Sequence, residues 1–167
     1  DDGPFLVIRT SDIDEGVLDD SAIYRVSENE YLNRVRRATL EANDIVYSRE
    51  GERWGHAAIV PEGDCFCLGQ RMMQFRACDQ YDPRYLMWQL NSEQTYRQGQ
   101  VDTVGATSPH VNVSTIRNFA LAAPPIEDQR LIAEYLGMAT ASLNLLIREA
   151  GKVKLCLAER RAALISS

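Results

Sequence analysis

The sequence predicts an α+β protein. A domain over residues 1–124, with a twisted mixed or antiparallel sheet and short helices, is followed by one long coiled-coil helix over residues 125–167. Three observations carry that expectation. Short β-rich runs alternate with turn residues along the first part of the chain. Two helix starts, Ser27-Glu28-Asn29-Glu30 and Asp82-Pro83, interrupt those runs. After Pro124-Pro125 an apolar stripe reads Ile132, Leu136, Ala139, Leu143, Leu146, Ala150, Val153, Leu157 and Leu164. Its steps alternate four and three until one seven-residue step skips Arg160, which is the roughly 3.5-residue period of a coiled-coil seam. A strict seam lacks the wider apolar face that docks a helix on its own domain. The stripe therefore implies a second helix as partner, because no other segment here is of comparable length.

The elements follow in order. Pro4 to Arg9 is rich in β-formers and reads as a strand, and an acidic loop from Asp12 to Asp20 follows it. Ala22 to Val26 alternates as a second strand. Ser27 and Glu30 form a capping box that opens a short helix through Tyr31, Leu32 and Val35. Asp44 to Arg49 and His56 to Val60 are strands joined by a tight turn in which two glycines bracket Arg53 and Trp54. Trp54 is either exposed there or folded back as a lid, since tryptophan normally buries a large area. Leu68 to Phe75 reads as a strand interrupted at Gly69-Gln70-Arg71, and Cys65 to Cys67 also has strand character. Asp82 caps a helix running to Leu90, with Leu86, Met87 and Leu90 facing inward. Glu93 to Gln98 either extends it or forms a second turn. Residues 99–113 read as a loop reaching a short strand, Ser114 caps a helical turn, and Phe119 to Ala122 is a last strand. The diproline at 124–125 stops it and makes a stiff joint.

The charge distribution narrows the function. The net charge of −6 argues against a protein that coats nucleic acid nonspecifically. Residues 1–20 hold seven acids and one arginine. Residues 21–125 hold eleven arginines, twelve acids and no lysine. Arginine grips phosphate or guanine with two parallel bonds, which lysine cannot do. A GC-rich genome, encoding arginine in place of lysine, would give the same composition. No apolar run is long enough to span a membrane. The opening Asp1-Asp2-Gly3-Pro4 lacks the basic region of a signal peptide, so a cytoplasmic chain with four buried, reduced cysteines is expected.

Catalytic signatures are missing. The chain has no phosphate-binding G-x-x-x-x-G-K-[ST] loop, no G-x-G-x-x-G after a strand and no G-x-S-x-G elbow. A lysine-containing metal-nuclease triad cannot form within residues 1–151, which have no lysine. Two histidines and the Cys65-x-Cys67 spacing are poor metal-site material, so no catalytic residue and no metal are expected. Three polar loops remain: Ser48 to Gly55, Gly69 to Arg71 and Gly105 to His110. Glutamine and arginine can each grip a base edge through paired hydrogen bonds. Glycine with hydroxyl side chains can approach phosphates. The candidate DNA contacts are Ser48, Arg49, Arg53, Trp54, Gln70, Arg71, Ser108 and His110. Arg34, Arg36 and Arg37 are second candidates for phosphates, although cations at a helix C-terminus also complement its dipole. The candidate helix-interface residues are Ile132, Leu136, Leu143, Leu146, Val153 and Leu157.

Several segments resemble one family. "GPFLVIRTSDIDEG", "NDIVYSREGERWGHAAIV", "LGQRMMQFRA", "PRYLMWQLNS", "TSPHVNVSTIRNFALAAPPIEDQRLIAEYL" and "ERRAALI" occur in the order found in specificity (S) subunits of type I restriction–modification systems. The likeness is to one target recognition domain followed by its helical spacer. Pro109 to Leu136 is the most specific part, and the family commonly has glycine where Asn43 stands. The resemblance implies a noncatalytic reader of double-stranded DNA that positions a modification (methyltransferase) subunit and a restriction subunit on an interrupted target. S-adenosylmethionine, ATP and Mg²⁺ are then expected only in those partner subunits. Full S subunits have two recognition domains, so this chain is expected to be half of a larger subunit or a half-subunit that pairs with itself. The seam, roughly 50 Å long at about 1.5 Å per residue, would hold two domains on the order of one and a half DNA turns apart. The other class of function is a protein-interaction adaptor whose working part is the helix and whose domain reads no DNA.

Overall fold

The computed structural model describes residues 3–103 and 109–165. Its strands are β1 (Phe5–Ile8), β2 (Ile13–Asp14), β3 (Val17–Leu18), β4 (Tyr24–Val26), β5 (Ile45–Ser48), β6 (Ala57–Ile59), β7 (Phe66–Leu68) and β8 (Met72–Phe75). Its α-helices are α1 (Glu28–Arg34), α2 (Pro83–Leu90), α3 (Glu93–Gly99), α4 (Val113–Arg117) and α5 (Ile126–Ile165). The α+β class, with mixed and antiparallel sheets and a long C-terminal helix, is as expected. One sheet is mixed, with β1 antiparallel to β4 and parallel to β7. The other is antiparallel, with β5 between β6 and β8. The acidic loop, expected as coil, carries a small hairpin of β2 and β3.

Strand β5 is buried along its whole length, so its Ile45, Val46, Tyr47 and Ser48 contact layers on both faces. Ile45 and Tyr47 join Leu86, Met87, Leu90, Val111 and Ile116 in one core. Val46 joins Leu6, Ile8, Ile13 and Phe66 in another. The strand thus separates two hydrophobic layers, and Arg49 follows directly on its C-terminal end.

Local chemistry explains the helices. Asp82 Oδ1 accepts from the Arg84 and Tyr85 N–H groups, which caps α2 as its Asp-Pro start predicts. At α1 only half of the capping box forms. Ser27 Oγ accepts from Glu30 N, while the Glu30 carboxylate turns outward to Arg34 at 2.8 Å. Glu93 opens a separate helix because Ser92 Oγ accepts from Thr95 N and starts a new cap. Asn112, not Ser114, occupies the N-cap of α4. Asn43 has φ +69°, the left-handed region natural to glycine and tolerated by asparagine, at the position where the similar family has glycine.

Three expectations need correction. Phe119 to Ala122 is not a strand; side chains satisfy its backbone instead. Gln98 both donates to and accepts from Ala120, Gln89 Oε1 accepts from Ala122 N, and Tyr85 donates to Ala122 O. His110 makes only a single bridge, to Glu50, so no strand forms at the end of that loop among the described residues. Of the four cysteines only Cys67 is buried; Cys65, Cys78 and Cys156 are exposed.

The chain divides into two compact units, residues 1–130 and 131–167. The first turn of α5 belongs to the first unit, and Gln129 shows why. Its side chain is fully buried. Its Oε1 accepts from Asp82 N at 2.9 Å, and its Nε2 donates to Gln80 O and Pro124 O. In the second unit Leu143, Leu146, Val153 and Leu157 are exposed along the helix, whereas Leu136 is half-buried. Tyr135, Met138, Leu145, Ile147 and Leu155 are exposed beside them. The apolar surface is therefore broader than the narrow stripe expected, because the seam positions alone ignore the apolar residues flanking them.

Candidate nucleic-acid interface

Two of the three polar loops and the end of the third, at Pro109 and His110, become one strip through backbone bonds. Arg49 N donates to Arg71 O at 3.1 Å, joining the end of β5 to the β7–β8 turn. Val111 N donates to Arg49 O at 2.8 Å, and Gly51 N donates to Pro109 O at 3.0 Å. Residues far apart in sequence are thus held at fixed spacing by the scaffold.

Within the strip Glu50 lies between two arginines. Its Oε2 lies 2.7 Å from Arg71 Nε, and its Oε1 is 3.5 Å from Arg49 Nη2. Glu50 is 20% exposed and Arg71 is 59% exposed, so the carboxylate is sheltered while the guanidinium faces solvent. Arg71 has φ +68°, a left-handed conformation that costs a non-glycine residue roughly 1–2 kcal/mol. The turn before it is tight. Gly69 N donates to Ile8 O at 2.8 Å, and a Cβ on Gly69 would lie 2.8 Å from the same oxygen. Only glycine fits there, and the consequence is that Gln70 and Arg71 are carried outward, both exposed. Arg34 Nη1 donates to Leu68 O at 3.3 Å, which ties α1 to the strand entering this turn. Arg36 and Arg37, just beyond α1, are exposed. His110 is exposed as well, and nearby Asp102, held below its usual range by hydrogen bonds from Thr115 and Asn112 and by the charge of His110, remains anionic.

The structure treats the other candidates differently. Ser48 is fully buried, with its hydroxyl donating to Glu50 O at 3.2 Å. Trp54 takes the folded-back alternative: it is 5% exposed and stacks on Tyr96 with centroids 4.0 Å apart. Gly55 makes that fold-back possible with φ +93°. Ser48 is in the interior and Trp54 lines an acidic cleft, so neither is presented to DNA in this conformation. Arg53 donates to Ile13 O at 2.7 Å and lies 3.9 Å from Asp14, so it is committed to the acidic hairpin. Ser108 lies outside the described residues. The strip thus reduces to Arg49, Gln70, Arg71 and His110.

Negative charge collects elsewhere. A cleft of about 280 Å³ is lined by Glu15, Glu52, Glu93, His56 and Tyr96, among others. Its carboxylates would repel phosphate. His56 Nδ1 lies 3.0 Å from Asp14 Oδ1 beside it. Among the described residues no three His, Cys, Asp or Glu side chains are placed to hold a metal ion, and no helix is long and apolar enough to cross a membrane. Sequence reading missed Glu50, which looked like one more scattered acid. Its only signal was its place between Arg49 and a glycine, next to the loop that carries the other candidates.

Residues 5–149 match the model of a family described as the type I restriction modification DNA specificity domain. Two solved structures share the fold. The HsdS subunit from Thermoanaerobacter tengcongensis aligns with a TM-score of 0.64 and 18% identity, over 86% of this chain and 37% of that one. A structure of a type I R-M system, described for its complex assembly and conformational transition, aligns with a TM-score of 0.60 and 16% identity, over 92% of this chain and 35% of that one. This chain therefore spans little more than a third of the length of either. No curated protein matches it in sequence. The matched family is a DNA specificity domain, which is a noncatalytic module. With most of its length covered by that match, the chain belongs to the type I restriction–modification DNA specificity domain family.

Proposed function

We propose that the domain, residues 1–124, reads the base sequence of double-stranded DNA, and that the helix, residues 125–167, couples this reading to a second recognition module. The observation that supports it is the convergence of Arg49, Gln70, Arg71 and His110 on one exposed strip, beside the arginines around α1 and separate from the acidic cleft. Such a strip combines base-reading forks with phosphate-binding cations, as sequence-specific readers require. Within a type I complex the chain would position a modification subunit and a restriction subunit on an interrupted target in the cytoplasm. S-adenosylmethionine, ATP and Mg²⁺ would belong to those partners. Ile132, Leu136, Leu143, Leu146, Val153 and Leu157 would pack on the second S half or on a second copy of this chain.

A salt series with duplex libraries tests this reading. A reader prefers particular duplexes and loses affinity steeply as salt rises, with one unit of log–log slope lost for roughly each phosphate neutralised. The second reading, an adaptor without DNA recognition, is favoured by the broad exposed apolar surface of α5. It predicts neither sequence preference nor salt dependence.

A further inference from the structure

We infer that Glu50 is a positioning residue for DNA reading, aiming the Arg71 guanidinium at a guanine and withholding it from phosphates; the inference rests on the DNA-reading function proposed above. The geometry is specific. Glu50 Oε2 lies 2.7 Å from the Nε of Arg71. Arg71 is 59% exposed, so beyond the Nε held at Glu50 its guanidinium, with its end-on pair of Nη donors, is open to solvent. That pair matches the O6 and N7 acceptors of guanine in the major groove. Arg71 also sits in a left-handed backbone conformation. The surroundings hold it there through Arg49 N to Arg71 O on one side and Glu50 on the other. A strained residue fixed by independent contacts is one whose side-chain direction is set before ligand arrives.

A carboxylate on a DNA-facing strip is otherwise costly, because it repels the phosphates that supply most of the nonspecific affinity. Fixing arginine and discouraging phosphate binding both raise the ratio of specific to nonspecific affinity. Glu50 therefore acts against promiscuity, as a repulsive element that sharpens discrimination. The base pair read by Arg71 would be a G·C pair.

The test uses the full chain carrying Glu50→Gln, with Arg71→Ala for comparison. Binding is measured by fluorescence anisotropy to the duplex selected by the wild type, to its single-pair variants and to random duplex, across a salt series. An arginine–guanine pair discriminates by roughly 5- to 150-fold. Arg71→Ala is expected to abolish discrimination at one G·C pair. Glu50→Gln is expected to weaken discrimination at that same pair while binding random duplex more tightly, with a log–log salt slope steeper by about 0.9. A structural role alone would weaken binding to every duplex together and would not steepen the slope; that result, or unchanged discrimination, overturns the inference. A wild-type chain without sequence preference would instead overturn the DNA-reading function, and this inference with it.

Discussion

Replacing Arg71 with glycine changes backbone strain and DNA contact together, and alanine at the same position separates them. At φ +68° the arginine backbone carries roughly 1–2 kcal/mol of strain. Glycine relieves it but loses more chain entropy on folding, by about 0.5–1 kcal/mol. The ion pair to Glu50 is short, at 2.7 Å, but Arg71 is 59% exposed. Screening limits such a pair to about 0–1 kcal/mol. These terms nearly cancel for Arg71→Gly, so its stability is expected to stay within about 1 kcal/mol of the wild type. Arg71→Ala keeps the strain and loses the ion pair, so it is expected to fall up to about 1 kcal/mol below the wild type and below the glycine variant. Urea titrations read that order directly, and thermal melts would show it as a few degrees. Both variants are expected to lose about 1–3 kcal/mol of discrimination at one base pair. If alanine proves as stable as glycine or more so, the strain argument fails. If glycine keeps full discrimination, Arg71 is not a base reader.

Three further outcomes follow from the same geometry. Gln129→Leu would leave Asp82 N, Gln80 O and Pro124 O without their buried partner, so a loss of roughly 3–5 kcal/mol is expected in denaturant titration. Burial raises the Asp44 pKa, but hydrogen bonds from Arg76, Glu41 N and Gln74 outweigh it and hold the folded value below the usual carboxylate range. Its stabilisation is then present above the unfolded value of about 3.9 and lost as pH falls through the folded one. The stability advantage over Asp44→Asn, roughly 2–3 kcal/mol near neutrality, should shrink below about pH 4. Leu143→Glu with Leu146→Glu should abolish self-association in sedimentation velocity without lowering helix content by circular dichroism, whereas unchanged association would remove these residues from the interface.

The parts of the fold visible in sequence are those set by local chemistry. Asp82-Pro83 fixes a helix start within one turn, and β5 declares itself through an unbroken run of β-formers. The apolar rhythm after the diproline marks α5. Features set by distant partners were hidden. The fate of Phe119 to Ala122 depends on Gln89 and Gln98, whose polar side chains take the place of a neighbouring strand. Ser48 sits at a strand end and looks available, but the Glu50 carbonyl accepts its hydroxyl in the interior. Trp54 depends on Tyr96, more than forty positions away. The candidate loops were legible as chemistry, since arginine and glutamine in turns suit base edges. Their convergence was not, because backbone bonds at Arg49, Arg71 and Val111 bring it about.

The most direct measurement is methylation-site sequencing in cells that express this chain with a type I modification subunit. A DNA-reading chain yields one interrupted motif, symmetric if two copies pair through α5 and asymmetric if a different half completes the subunit, and Arg71→Ala relaxes a G·C position within it. Methylation without any motif, or a motif unchanged when Arg49, Gln70, Arg71 and His110 are all replaced, would contradict the account.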